Sequence, residues 1–378
     1  MVVNLSPQTN EIMMEEKKDK PLMQKINDYL LKFSRVPLKE RLFFVQHLGI
    51  MLKAGISLSI ALKTLANQSE NKLFRTSLDN LASDVEKGKS FSESLRPYEK
   101  IFGELFINMI EAGELSGKLE SVLGQLYIQI KKQHELTGKI KGALTYPAVI
   151  IMAMGGIGIF MMIFVVPKIT EMLKSFDAEL PLATRALIGI SEAIINNGII
   201  TAITLVATIM LATKILRTYK GKFIFQAIIL KFPIISPIVK KINLARFSRT
   251  ISSLLKTDIA IIKSFQITAN ILGNLHYRNA LMEMAERIKK GGQINEVIRT
   301  YPHLFPPTVT QMITIGEQTG ELDNILQELA SFYEEEVDQI MNNLPSIIEP
   351  LLILVLGCGI GAMAVAIIMP MYSLTSAV

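Results

Sequence analysis

Cysteine occurs once in the 378 residues, as Cys358, so the chain closes no internal disulfide and builds no thiolate metal site. No dense basic run is present, although 40 Lys and Arg outnumber 34 Asp and Glu. A net charge of +6 spread this thinly argues against nucleic acid and fits a membrane surface better. Apolar–polar alternation of the kind that marks a half-buried strand is also missing. The four histidines, His47, His134, His276 and His303, lie far apart with no metal-ligand spacing, so neither a metal nor a cofactor is expected. Residues 1–37, with EIMMEEKKDK at 11 to 20, hold no apolar run that would serve as a signal peptide. They are expected to be a mobile tail starting in the cytoplasm.

What the chain does have is apolar residues in blocks. Mean hydropathy is +0.35, high for an ordinary soluble protein, and charged residues make up 20%. Setting aside three uncharged stretches of about twenty residues raises the charged share to roughly 23%, a normal globular value. The composition therefore describes soluble domains joined to a few membrane spans. Ala148 to Val166 and Leu351 to Met369 each run nineteen residues without a charge and end at Pro167 and Pro370. At 1.5 Å per residue, that length crosses roughly 30 Å of hydrocarbon. Ile194 to Ala212 is weaker, with Asn196, Asn197 and three threonines. It is taken as a span because an odd count would otherwise put the soluble portions on opposite sides.

Positive charge next to the spans sets the orientation. Lys131, Lys132, Lys139 and Lys141 precede the first span, and Lys214, Arg217, Lys220, Lys222 and Lys231 follow the second. The intervening loop sets only Lys168, Lys174 and Arg185 against Glu171, Asp177, Glu179 and Glu192. Both large soluble portions are accordingly expected in the cytoplasm, although residues 330–350 contain no Lys or Arg to add to the case.

A shift of 203 positions superimposes the first half on the second without a gap. Phe44 meets Phe247, Lys87-Gly88 meets Lys290-Gly291, and Gly113, Glu114, Gly117 and Leu119 meet Gly316, Glu317, Gly320 and Leu322. The register persists from Pro147 and Pro350 to Pro167 and Pro370. Leu119, Val122, Leu123, Leu126 and Ile130 form one stripe of an amphipathic helix, repeated from Leu322 to Tyr333. Gly55, Gly88 and Gly113 follow apolar runs, where a left-handed residue would stop a helix. Ser57 and Ser90 are placed to cap the next helix, Ser90 with Glu93 as a capping box. The fold class expected is all-α: two homologous cytoplasmic helical bundles of about six short helices each, plus three transmembrane helices. The divisions expected are a tail at 1–37, bundles at 38–146 and 214–349, spans at 147–167, 194–213 and 350–370, a periplasmic loop at 168–193 and a periplasmic tail at 371–378.

The sharpest motif is Gly-Glu-x-x-Gly-x-Leu, at Gly113 to Leu119 and again at Gly316 to Leu322. As chemistry, Glu114 and Glu317 would form an acid–base carboxylate pair. As architecture, Gly113, Gly117, Gly316 and Gly320 would form interhelical turns, with each acid near the start of the following helix. No nucleophile or histidine recurs beside either acid, which favours architecture. Gly113 to Lys118 is not a phosphate loop: it has three residues between its glycines, and Leu119 stands where Ser or Thr would bind magnesium. The spans lack Asp, Glu, Lys, Arg and His, which weighs against a transporter. Gly357 and Gly361 permit a close helix approach in the third span. Lys131 and Lys132 fall on Glu334 and Glu335 under the repeat shift, so like modules with opposite patches could dock head to tail, within a chain or between subunits.

MLKAGISLSIAL (51 to 62), GELSGKL (113 to 119), KGALTYPAVI (141 to 150), VVPKITEMLKSFDAELPLATR (165 to 185), KFPIISPIVKKINLARFSRTISSLLKT (231 to 257) and GEQTGEL (316 to 322) together resemble the platform proteins of type II secretion and type IV pilus machines. The likeness runs from about residue 38 to the C-terminus. It implies an inner-membrane protein without catalytic activity, sitting above a hexameric assembly ATPase and helping to feed pilin or pseudopilin subunits into a filament. Other inner-membrane components of the machine, membrane lipid and further copies of the chain would be its partners. SFDAELP leans toward the pilus branch. Thr257-Asp258-Ile259-Ala260 departs from the family's small residue, Gly, Val and Pro, so the turn there is expected to differ. A membrane enzyme using Glu114 and Glu317, and a channel or transporter, stand as the rival readings.

Overall fold

The computed structural model describes residues 36–174 and 182–375, and they fold into helices joined by short turns, with no strand among them. Asp177, Glu179 and the tail at 1–35 lie outside the described residues. The chain divides into two units, residues 1–124 and 125–378.

The first unit holds α1 (Leu38–Lys53), α2 (Leu58–Gln68), α3 (Lys72–Glu86), α4 (Phe91–Leu95), a 3-10 turn (Arg96–Tyr98), the single-turn α5 (Glu99–Phe102), α6 (Glu104–Leu115) and the start of α7 (Leu119–Phe160). Phe44, Phe74, Phe102 and Phe106 form its aromatic centre, with ring centroids 5.0 to 6.5 Å apart, where offset and edge contacts add to the burial of large apolar surfaces. Asn71 caps α3 by accepting from the Phe74 N–H, and Ser90 caps α4 by accepting from the Glu93 N–H. Ser57 precedes α2 without a side-chain cap.

The second unit contains the rest of α7, a π turn (Met161–Val165), α8 (Val166–Lys174), α9 (Leu182–Asn196), α10 (Gly198–Arg217), α11 (Tyr219–Lys231), α12 (Ile235–Leu255), α13 (Ile261–Ile271), α14 (Leu275–Lys289), α15 (Ile294–Ile298), α16 (Pro307–Thr319) and α17 (Leu322–Thr375). Shifted by 203 residues, α2, α3, α4 and the start of α7 land residue for residue on α13, α14, α15 and the start of α17. Phe247, Phe265, Phe305 and Tyr277 fill the core, and the Tyr277 hydroxyl is satisfied by donating to the Leu304 carbonyl at 2.7 Å. Burial pushes that phenol's pKa up, so it stays neutral.

Positive φ recurs in register at Gly88 and Gly291 and at Gly117 and Gly320. At the third pair the residues differ but the backbone does not: Gly55 has φ 80° and Asp258 has φ 60°. The turn expected to change is therefore kept, with Asp258 forced into the left-handed region at a cost on the order of 1–2 kcal/mol, which Asp bears better than most residues.

Other expectations need correction. The bundle-to-span boundaries at 146 and 349 are not breaks, because α7 and α17 run through them; hydropathy marks a change of solvent, which a continuous hydrogen-bonded helix crosses freely. Residues 168–193 are not simply a loop, since α8 and α9 flank the undescribed 175–181. Ser191 Oγ donates to the Met162 carbonyl at 2.6 Å, engaging a carbonyl of the π turn that precedes Pro167. The second span helix begins at Gly198 and not Ile194, because Asn197 (φ −125°, ψ 37°) breaks it from α9. In the expected 371–378 tail, α17 continues to Thr375.

Among the described residues, three helices, α7, α10 and α17, are long and apolar enough to cross a membrane. The pair α11 and α12 is bent by 111°, and α12 buries Arg249 and Ser252 against α17, which makes it part of the bundle.

Candidate functional site

Each Gly-Glu-x-x-Gly motif is a side-chain cap. Glu114, near the end of α6, reaches back to the first turn of α4: the Phe91 N–H donates to Oε1 at 2.6 Å, and the Ser92 N–H and hydroxyl donate to Oε2 at 3.0 and 2.7 Å. Glu317 on α16 does the same for α15, accepting from the Ile294 N–H at 2.7 Å and the Asn295 N–H at 3.1 Å. The reason is local. A five-residue helix leaves most of its N–H groups without intrahelical partners, and a carboxylate at its positive end both accepts from them and complements the dipole. This corrects the expectation that the acid serves the following helix: it serves the short helix behind it in sequence. Each carboxylate is thereby committed to its own module, with both oxygens engaged by donors.

The four motif glycines divide by physical cause. Gly117 and Gly320 carry the positive φ that turns the chain. Gly113 and Gly316 are helical, so the expected left-handed stop at Gly113 is wrong. A Cβ on Gly113 would sit 2.8 Å from Val122 Cγ2, and one on Gly316 would sit 3.0 Å from Leu322 Cα. They are glycine because the next helix packs directly on their backbone.

A second constellation lies in the second unit, around the α12–α17 contact. Arg249 grips Glu334 in a fork, Nε to Oε1 at 2.7 Å and Nη2 to Oε2 at 2.9 Å, with side chains only 11% and 17% exposed. Lys132 of α7 lies 3.9 Å from the same Glu334, and Lys139 pairs with Asp338 at 2.5 Å. Beside them, Gln129 is buried: it donates to Thr250 Oγ1 at 3.2 Å and accepts from Ser253 Oγ at 3.0 Å. Leu136 packs with Val337, Met341 and Leu344 just beyond. Lys131 and Glu335 are exposed. Sequence reasoning missed Arg249 and Gln129, because under the repeat shift they fall on Gln46 and Phe332 and no shared pattern flags them.

The remaining candidates do not assemble. An added Cβ on Gly357 or Gly361 meets nothing within 4 Å among the described residues, so no described helix packs closely on that pair. Among the described residues, no cluster of three or more His, Cys, Asp and Glu is arranged to hold a metal. Tyr301 donates to Glu283; that bond lowers the Glu283 pKa, while burial first and Glu283 second push Tyr301 up to about 12. Both shifts lead away from neutral-pH acid–base work.

The fold and these sites define a class: a membrane-anchored double bundle whose motif acids are structural caps and whose modules each lead into an apolar helix. Residues 44–167 and 247–370 both match the family model described as type II secretion system (T2SS), protein F, two matches offset by the repeat shift. The chain belongs to this family. It is 35% identical to the type IV pilus assembly protein PilC of Thermus thermophilus over 337 residues, 89% of this chain and 83% of the relative. It is also 35% identical over 330 residues to the type IV pilus assembly protein TapC of Aeromonas hydrophila, covering 86% and 78%. The type II secretion system protein F of Aeromonas hydrophila is 28% identical over 339 residues, covering 90% and 87%. Family membership and three apolar helices mark the chain as a multi-pass inner-membrane platform protein of such systems.

Proposed function

We propose that this platform couples a hexameric cytoplasmic assembly ATPase to the insertion of pilin subunits into a filament, with both bundles in the cytoplasm and no chemistry of its own. The observation that carries this reading is the continuity of α7 and α17, each a single helix from bundle core to span, through which movement of a bundle reaches the membrane. The pilus branch is favoured by four of five pilus assembly relatives at 31–35% identity, the fifth standing at 27%, against 26–28% for three secretion relatives. In a variant lacking Cys358, cysteines at Lys87 and Lys290 should resist a membrane-impermeant thiol reagent in intact cells while one at Asp177 reacts, and the ATPase should co-purify. Labelling at Lys87 from outside, or a complex lacking the ATPase after mild cross-linking, would overturn the proposal.

Docking between copies belongs to the same reading. Lys132 and Glu334 are already paired within the chain, which leaves exposed Lys131 and Glu335 for contact between subunits. An exposed pair contributes only about 0.2–1 kcal/mol, so it would select register more than supply affinity. Lys131→Glu should weaken self-association and Glu335→Lys should restore it, while Glu334 is left intact because it belongs to the Arg249 fork. Equal self-association of single and double variants at low salt would sink the docking idea.

A further inference from the structure

One helix of the second unit presents apolar side chains to solvent on the face away from the bundle. On α11, Ile224, Phe225 and Ile228 follow one another at helical spacing, and Phe232, Ile234 and Ile235 extend the patch through the turn to α12; all six are 42% to 60% exposed. This face is not free to roll inward, because the opposite one is pinned. Gln226 Nε2 donates to the Gly273 carbonyl at 3.1 Å, and Gln226 Oε1 accepts from the Leu275 N–H at 2.7 Å. The Phe223 ring lies 4.1 Å from that of His276, and Asn279 donates to the Tyr219 hydroxyl at 3.1 Å. On the helical wheel, Lys220 and Lys231 flank the apolar stripe on one side and Lys222 on the other.

The connection to α10 says what covers the patch. Only Thr218 separates the last residue of the span helix, Arg217, from the first of α11. Thr218 is extended (φ −67°, ψ 151°) and caps α11 by accepting from the Gly221 N–H at 3.2 Å. The turn is so tight that a Cβ on Gly221 would stand 2.1 Å from the Ile215 carbonyl oxygen. The first turn of α11 is thus held against the end of α10, which, with α10 read as a span, sets it where hydrocarbon would give way to headgroups. Lys214 and Arg217 stand at the same level.

We infer that α11 lies in the plane of the membrane interface, its Ile224–Phe225–Ile228–Phe232 face sunk among the acyl chains of anionic phospholipid and its lysines reaching the headgroups. An apolar stripe bordered by long cations suits this position, because lysine stems cover apolar surface while their ammonium groups stay with phosphate. The helix would act as a floor, holding the second bundle at a fixed height below the bilayer by the α11–α14 contact. The inference rests on reading α10 as a span, and the test separates the two.

The full chain without Cys358 is reconstituted in mixed phosphatidylcholine and phosphatidylglycerol vesicles. Single cysteines at Ile224, Ile228, Ile203 in α10 and Glu286 on α14 carry an environment-sensitive fluorophore. Lipids with a nitroxide near the headgroup or at the chain end serve as quenchers. Labels at 224 and 228 should be quenched several-fold more strongly by the shallow nitroxide than the label at 286, and the label at 203 most strongly by the deep one. In vesicles with phosphatidylglycerol, but not in phosphatidylcholine alone, Lys220→Glu with Lys222→Glu and Lys231→Glu should reduce the shallow quenching several-fold. If 224 and 228 behave like 286 while 203 is quenched deeply, the patch faces water or a protein and the inference fails with the span intact. Deep quenching at 228 would mean a re-entrant segment and also overturns it. No quenching at 203 would remove the span itself, and the inference with it.

Discussion

Replacing Arg249 with alanine is expected to destabilise the second bundle by about 3 kcal/mol or more, because breaking a buried pair leaves an uncompensated charge. Glu334 would be left with Lys132, 3.9 Å away and nearly half exposed, as its partner among the described residues. Arg249→Lys should recover little, since a point ammonium cannot reproduce the two-pronged contact at 2.7 and 2.9 Å. Replacing both partners at once, Arg249→Met with Glu334→Leu, should cost much less than either single change, because no charge is then left buried. Denaturant unfolding of the solubilised chain, run as a double-mutant cycle, measures this. A coupling near zero would show the fork to be energetically idle.

The second large effect belongs to the motif acids. Glu114→Ala removes the acceptor for three donors and should destabilise its bundle by about 2–3 kcal/mol, since hydrogen bonds to a charged group contribute about 1.5–3 kcal/mol. Glu317→Ala, with two donors, should cost less. Glu114→Gln keeps one acceptor oxygen and should fall between wild type and alanine. Protease sensitivity focused on α4 or α15, together with the unfolding midpoint, gives the readout. The outcome also decides between a platform and a membrane enzyme: an enzyme would lose turnover in the glutamine variant with stability intact, whereas a cap loses stability in proportion to the donors released. Unchanged midpoints in both alanine variants would refute the capping role.

Sequence pattern by itself determined the 203-residue repeat, the all-helical class, the approximate spans and the glycine turns at Gly55 and Gly88. These are properties of neighbouring residues: a stripe at helical spacing, an uncharged run of twenty, a residue free to take positive φ. It also located the Gly-Glu motif, but not what the motif does. Glu114 acts 23 residues back along the chain, and Gly113 is glycine because of Val122 and Leu119, which no local propensity encodes. Arg249 meets Glu334 across 85 residues, and its repeat partner Gln46 hides it from comparison of the two halves. The outward face of α11 likewise emerged only when Gln226 was seen bound to Gly273 and Leu275, since the same run of Ile and Phe reads equally well as core. Local chemistry fixes which segments become helices and where they stop. Which face turns inward, and which remote carboxylate completes a helix end, is decided by packing between segments far apart in the chain, and only the tertiary structure brings those together.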